Sequence, residues 1–207
     1  MGAKENLGID GELTGVSPGP APKPLLMVDI DGVLSLLGGA DRGPLAGPEG
    51  TGPQGTGPEG TGPERTGRRE PEGRFHLIDG IPHFLSVSAA SHLLALAPLF
   101  DIVWASGWEE RADEHLPHLL GLPASLPHVS FAANLRGRGP LNAHWKLGAI
   151  DAYAAGRPLA WIDDALDRSC EEWAAARAAP TLLVKTDPAR GLTAREERIL
   201  RSWASGF

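Results

Sequence analysis

The stretch MVDIDGVL, residues 27–34, closes an apolar run with two carboxylates, Asp29 and Asp31, one residue apart. Residues 25–30 (LLMVDI) have strand length and almost no polar interruption, the pattern of a strand buried on both faces of a parallel sheet. The same signature recurs downstream. Residues 101–106 (DIVWAS) end at Ser106, residues 158–164 (PLAWIDD) end at Asp163 and Asp164, and residues 181–186 (TLLVKT) make a further apolar run. Residues 128–133 (HVSFAA) read as a weaker strand.

Helical segments lie between these runs. SAASHLLALAPLF (88–100) predicts a helix capped by Ser88 or Ser91, and EERADEHLPHLLGL (109–122) a second one opened by acids that suit the helix dipole. NAHWKLGAIDAYAA (142–155) closes at Gly156, and CEEWAAARAA (170–179) and TAREERILRSWA (193–204) complete the set. RFHLIDGIPHFLSV (74–87) holds two β-prone pieces around Asp79-Gly80, a hairpin signal. Alternating strands and helices imply a three-layer α/β/α fold with a central parallel sheet. In such sheets, sites form outside the carboxyl ends of the strands.

The 207 residues suit one domain, but the chain's 27 glycines and 19 prolines are concentrated in its first third. Residues 1–23 are too polar to offset the entropy of ordering and are expected to form a disordered tail before a folded domain over 24–207. That domain is interrupted over 39–73 by a Gly/Pro-rich insertion whose five-residue repeat, GPEGTGPQGTGPEGTGPERT, starts at Gly47. Collagen needs glycine at every third residue, so this is not collagen. The insertion is expected to be exposed, either a tolerated expansion or a loop with Arg65, Arg68, Arg69 and Arg74 for a partner or substrate.

A net charge of −7 disfavours general attraction to phosphate backbones. No apolar run nears the roughly 20 residues that cross a bilayer, and the N-terminus lacks a signal-peptide core. The expectation is a cytoplasmic protein with no membrane attachment and no obligate protein partner. The single cysteine, Cys170, has no neighbouring cations to activate it and reads as structural.

If the strands ending at Asp29/Asp31, Ser106 and Asp163/Asp164 are parallel neighbours, four carboxylates meet a hydroxyl in one crevice. Such a group calls for a hard divalent cation, and Mg²⁺ suits an all-oxygen site that receives a phosphate. Lys146 could bring positive charge to the same edge, with Arg136 or Arg138 in the preceding loop as rivals. Metal, lysine and hydroxyl together make a clamp for a phosphoryl group. One carboxylate can then act as nucleophile and a second as general acid and base. A bend at Gly32 would turn Asp31 back toward the site.

In order and context, VDIDGVL, DIVWAS, Lys146 and WIDD resemble the four motifs of the haloacid dehalogenase (HAD) superfamily, over about residues 24–187. The resemblance implies a Rossmann-like fold, Asp29 as nucleophile and Asp31 as acid/base, with its backbone carbonyl on Mg²⁺. It implies Ser106, Gly107 and Lys146 as the phosphate-binding set, and Asp163 and Asp164 beside Asp29 on the metal side. The hairpin from Arg74 looks like the family's flap, and no large cap domain is visible, as in members that act on large or exposed phosphoesters. WASGWEERADEHLPHLLGLP and WIDDALD are further similar to the bacterial HAD domain associated with Swiss Army Knife RNA-repair proteins.

Each signal has a plainer reading. Asp163-Asp164 could cap a helix, and Ser106 could be a turn residue before Gly107. Six tryptophans invite a base-stacking story, yet Trp104, Trp161, Trp173 and Trp203 fall at core positions. Trp108, just past a strand end, is a candidate site wall with Arg138. His115 and His118 lack the further ligands of a zinc site. The expected activity is a Mg²⁺-dependent phosphatase acting through an aspartyl-phosphate, on nucleotide or nucleic-acid-end phosphoesters. The alternatives are a small-metabolite phosphatase, a phosphotransferase, and a non-catalytic interaction protein of the same fold.

Overall fold

The computed structural model describes residues 22–37, 71–131 and 143–207. The expected N-terminal tail (but for its last two residues), most of the 39–73 insertion, and Arg136 and Arg138 lie outside the described residues.

The first apolar run forms β1 (Leu25–Val28), every residue of which is buried. It pairs in parallel with β5 (Asp101–Trp104) on one side and β6 (Leu159–Asp163) on the other, and β7 (Thr181–Lys185) adds to β6, giving the order β5-β1-β6-β7. Helices cover both faces. Leu26, Val28, Ile102, Trp104, Ala160 and Ile162 share one core with α1 (Val87–Leu96), α2 (Arg111–Leu120) and α5 (Ala194–Ala204). Leu25, Met27, Val103, Leu159 and Trp161 share the other with α3 (Leu147–Ala154) and α4 (Arg168–Ala176), whose Cys170 is fully buried, as a structural cysteine should be. This is a parallel sheet between two helical layers. The odd–even alternation explains why the strands read as continuous apolar runs: each successive side chain enters a different core. Burying one such Leu, Ile or Val stabilises the fold by about 1.5–3 kcal/mol.

A second, antiparallel sheet of order β2-β4-β3 flanks this body. Its strands are β2 (Ser35–Leu36), β3 (Gly73–Ile78) and β4 (Ile81–Ser86). The β3–β4 turn is the expected one: Asp79 and Gly80 have φ of 50° and 79°, the pair of left-handed conformations that matches hairpin twist. The hairpin opens at Gly73, one residue before the expected Arg74, because a side chain at Gly73 would meet the Leu85 carbonyl at 2.2 Å.

Three local expectations change. The cap of α1 is Ser86, whose hydroxyl accepts from the Ala89 amide at 3.1 Å, rather than Ser88 or Ser91; the last residue of β4 turns directly into the helix. Of the weak strand expected at 128–133, the described residues 128–131 form a single bridge, between Trp104 and His128, and residues 132 and 133 lie outside the described residues. Helix α3 is preceded by a 3₁₀ turn (Ala143–Lys146) and ends on Ala155 in the left-handed region, with Gly156 following in the same region.

Candidate functional site

The register of the sheet assembles the site. Val28 lies opposite Trp104 on one side and Ile162 on the other, so the next residues along, Asp29, Ala105 and Asp163, stand side by side at the carboxyl ends. Two hydrogen bonds fix this: the Asp29 amide donates to the Ile162 carbonyl at 3.0 Å and the Ala105 amide to the Val28 carbonyl at 2.8 Å. Ser106, nearly sealed from solvent, and Gly107 follow on the β5 side.

Lys146 ends the 3₁₀ turn and is buried with its ammonium between two acids, 2.8 Å from Asp29 Oδ2 and 2.7 Å from Asp163 Oδ2. Burial alone would lower its pKa, but the charges of Asp29 and Asp163 outweigh that and hold it above the ordinary lysine value. Asp29 Oδ1 accepts the Ile30 amide at 2.8 Å, and Asp163 Oδ1 accepts the Ala165 amide at 2.8 Å. Both carboxylates are therefore immobilised at both oxygens.

Past β1 the chain turns sharply: the amides of Val33, Leu34 and Ser35 all point to the Ile30 carbonyl, and Gly32 sits at φ +72°. A β-carbon there would meet Asp164 Cγ at 2.4 Å, so the glycine permits both the turn and the approach of Asp164. Thr186, at the end of β7, braces the turn by donating to the Gly32 carbonyl at 2.9 Å. Carboxylate oxygens of Asp29, Asp163 and Asp164 come within 4.8 Å of one another. Burial lifts the Asp163 pKa to about 6, with the Asp29 charge adding, while Lys146 and the Ala165 amide oppose. Burial and then the Asp29 charge raise Asp164 as well. Three crowded acids share one buried lysine, and the donor set is all oxygen. These residues fit a hard divalent cation.

Within the turn, Asp31 takes side-chain partners of its own but stays within electrostatic reach of Asp29 and Asp164. Its carboxylate stands outside that trio, with Oδ2 accepting the Trp108 indole N–H at 2.9 Å and Oδ1 lying 3.8 Å from His83 Nδ1. Burial raises its pKa, with the Asp29 charge adding and Trp108, His83 and Ser35 opposing. The two acids of the DxD pair thus occupy different environments, one ion-paired to a buried lysine and one hydrogen-bonded to an indole.

Asp29, Asp163, Asp164, Lys146, Ser106 and Gly107 meet at one edge, and Trp108 lines it through Asp31. Sequence reasoning missed His83, Ser35, Thr186 and Trp145. The signal for His83 was present: it shares a strand face with the fully buried Leu85, where a polar side chain is out of place. Trp145 precedes Lys146 and packs edge-on against Phe131 at 4.6 Å, near Gly107. No helix among the described residues is long and apolar enough to cross a membrane. No protein-family model, curated protein or solved structure matches the chain.

Proposed function

We propose that the chain is a Mg²⁺-dependent phosphohydrolase of the haloacid dehalogenase type, working through an aspartyl-phosphate on Asp29. One observation carries the reading: Asp29 and Asp31, two residues apart, have been given opposite conditions. Asp29 is held by a buried lysine, as an ionised nucleophile requires. Asp31 accepts from an indole N–H instead of a lysine and has a raised pKa through burial, as a proton donor requires.

Asp29, Asp163 and Asp164 would hold the cation, with the Asp31 carbonyl as the family resemblance implies; once bound, it would neutralise phosphoryl charge and the repulsion among the acids. The protein's own groups do the rest. An Asp29 oxygen attacks phosphorus, the bond to the ester oxygen breaks, and Asp31 gives that oxygen its proton. Water then attacks phosphorus, Asp31 takes the water's proton, and phosphate leaves with the Asp29 carboxylate restored. Ser106 and the backbone at Gly107 bind phosphoryl oxygens, and Lys146 orients Asp29 while drawing the phosphoryl group in. The substrate we favour is a nucleotide or nucleic-acid end, on the narrower sequence resemblance; a small phosphorylated metabolite is the alternative.

The test is phosphate release from nucleotides, sugar phosphates and 3′- or 5′-phosphorylated oligonucleotides, with Mg²⁺ or with EDTA. Release that requires Mg²⁺ and falls by at least about 10³-fold in Asp29→Asn is expected. A folded wild-type protein silent across the panel would overturn the proposal.

A further inference from the structure

Asp31 is the least anchored of the acids by its own element, since it lies just before a left-handed glycine and its side chain is about half exposed. Besides the nearby Ser35, what holds it comes from elsewhere in the chain. Trp108, on the turn after β5, places its indole N–H 2.9 Å from Asp31 Oδ2. The ring is wedged edge-on between two histidines, His83 of β4 at 5.0 Å and His115 of α2 at 6.4 Å between centroids. His83 is itself fixed by the Ser35 hydroxyl, 2.9 Å from its Nδ1. The Asp79–Arg111 ion pair ties the tip of the hairpin to the start of α2 a second time.

We infer that Trp108 is a positioning residue for Asp31: its N–H holds Oδ2 and so fixes the direction in which the carboxyl group presents Oδ1. The chemistry of indole makes the assignment specific. Its N–H only donates, so it bonds an acceptor oxygen whether the carboxyl group is ionised or neutral, and the acid proton resides on the other oxygen. A lysine in that place would instead hold the acid ionised. The inference rests on the proposed role of Asp31, and it extends the site to the β3–β4 hairpin, which touches Asp31 mainly through the ring it clamps.

The test is Trp108→Phe, which keeps a ring between the histidines and removes the N–H. Proton donation matters for an alkyl phosphate, whose alkoxide leaves poorly, and little for an aryl phosphate with an activated phenolate. For the variant, kcat/KM, which reports the half-reaction that expels the leaving group, should drop about 10-fold or more on an alkyl phosphate. The drop on p-nitrophenyl phosphate should be under about threefold, and the melting temperature should hold. A parallel readout does not need turnover: in a ¹H–¹⁵N spectrum Asp31→Ala should move the Trp108 indole signal well beyond those of the other five tryptophans. Equal losses on both substrates, an undiminished rate on the alkyl ester, or an unmoved indole signal would each overturn the inference. An active wild type with an unselective Trp108→Phe condemns only the positioning role. A wild type inactive on both substrates brings down the phosphatase reading itself.

Discussion

At the carboxyl ends of the central strands, Lys146 reaches Asp29 and Asp163 with all three side chains at most 10% exposed. At the amino end of β5, Arg157 reaches Asp101 at 2.5 Å, but these side chains are 34% and 49% exposed. The second pair borders a cavity of about 440 Å³ lined mainly by apolar groups such as Leu25, Leu93, Phe100 and Leu122. There the arginine also bonds the Lys23 carbonyl, which ties the entering chain to the sheet. A buried ion pair rarely stabilises a fold more than apolar side chains of the same volume would, because both charges must be desolvated. The carboxyl-end cluster is thus poorly explained by stability, which is the ground on which a reaction is proposed for it. The amino-end pair is an ordinary surface tie.

The largest expected effect lies at the carboxyl end. Lys146→Met should strand Asp29 and Asp163 as uncompensated acids and cost about 3–5 kcal/mol in denaturant unfolding. Adding Asp163→Leu should recover part of that loss; a single variant as stable as wild type would erase the contrast between the two ends.

The pH response is next. The Asp163 carboxyl, raised to about 6 in the fold, keeps its proton where the unfolded chain has lost one near 3.8. The folded state thus binds more protons in that window, and the stability this group contributes falls as pH rises from about 4 to about 6. Without metal, wild type should lose stability relative to Asp163→Asn across this range, and Mg²⁺ should remove the difference. Melting temperatures in EDTA and in Mg²⁺ measure it, and a relative gain with rising pH would contradict it.

At the amino end, Arg157→Gln should cost no more than about 1 kcal/mol, because water screens the pair. A loss comparable to that of Lys146→Met would show that exposure is the wrong axis of comparison.

Much of this was legible in the sequence. β1, β5 and β6 announce themselves as apolar runs because both faces of each are buried, and β7, at the sheet edge, because Val184 is buried and Leu182 and Leu183 pack partly against the cores; Asp29, Ser106 and Asp163 follow from where those runs stop. Lys146 was harder, since most helix-borne lysines face water; only the fold shows that it lies between two acids. The hidden part is what depends on contacts distant in sequence. Trp108 and Asp31 are 77 residues apart, and Ser35 and His83 are 48 apart, so no local pattern joins them. At 128–131, the described part of the expected strand at 128–133, local propensity alone overstated the pairing: one bridge, at His128, forms beside β5.

The two described ends that flank residues 38–70 belong to the same small sheet. β2 and β3 pair with opposite sides of β4, at Phe84–Leu85 and from Ser86 onward, so the departing and returning strands lie about two strand spacings apart across the sheet. Whatever path the joining residues take, both anchor points are set by β4 and not by the length between them. Doubling a loop between fixed ends costs only about 0.6 kcal/mol in closure entropy. Copies of the pentapeptide can therefore be gained or lost with little penalty to the fold, which makes this junction a natural place for length polymorphism and a practical one for grafting a reporter.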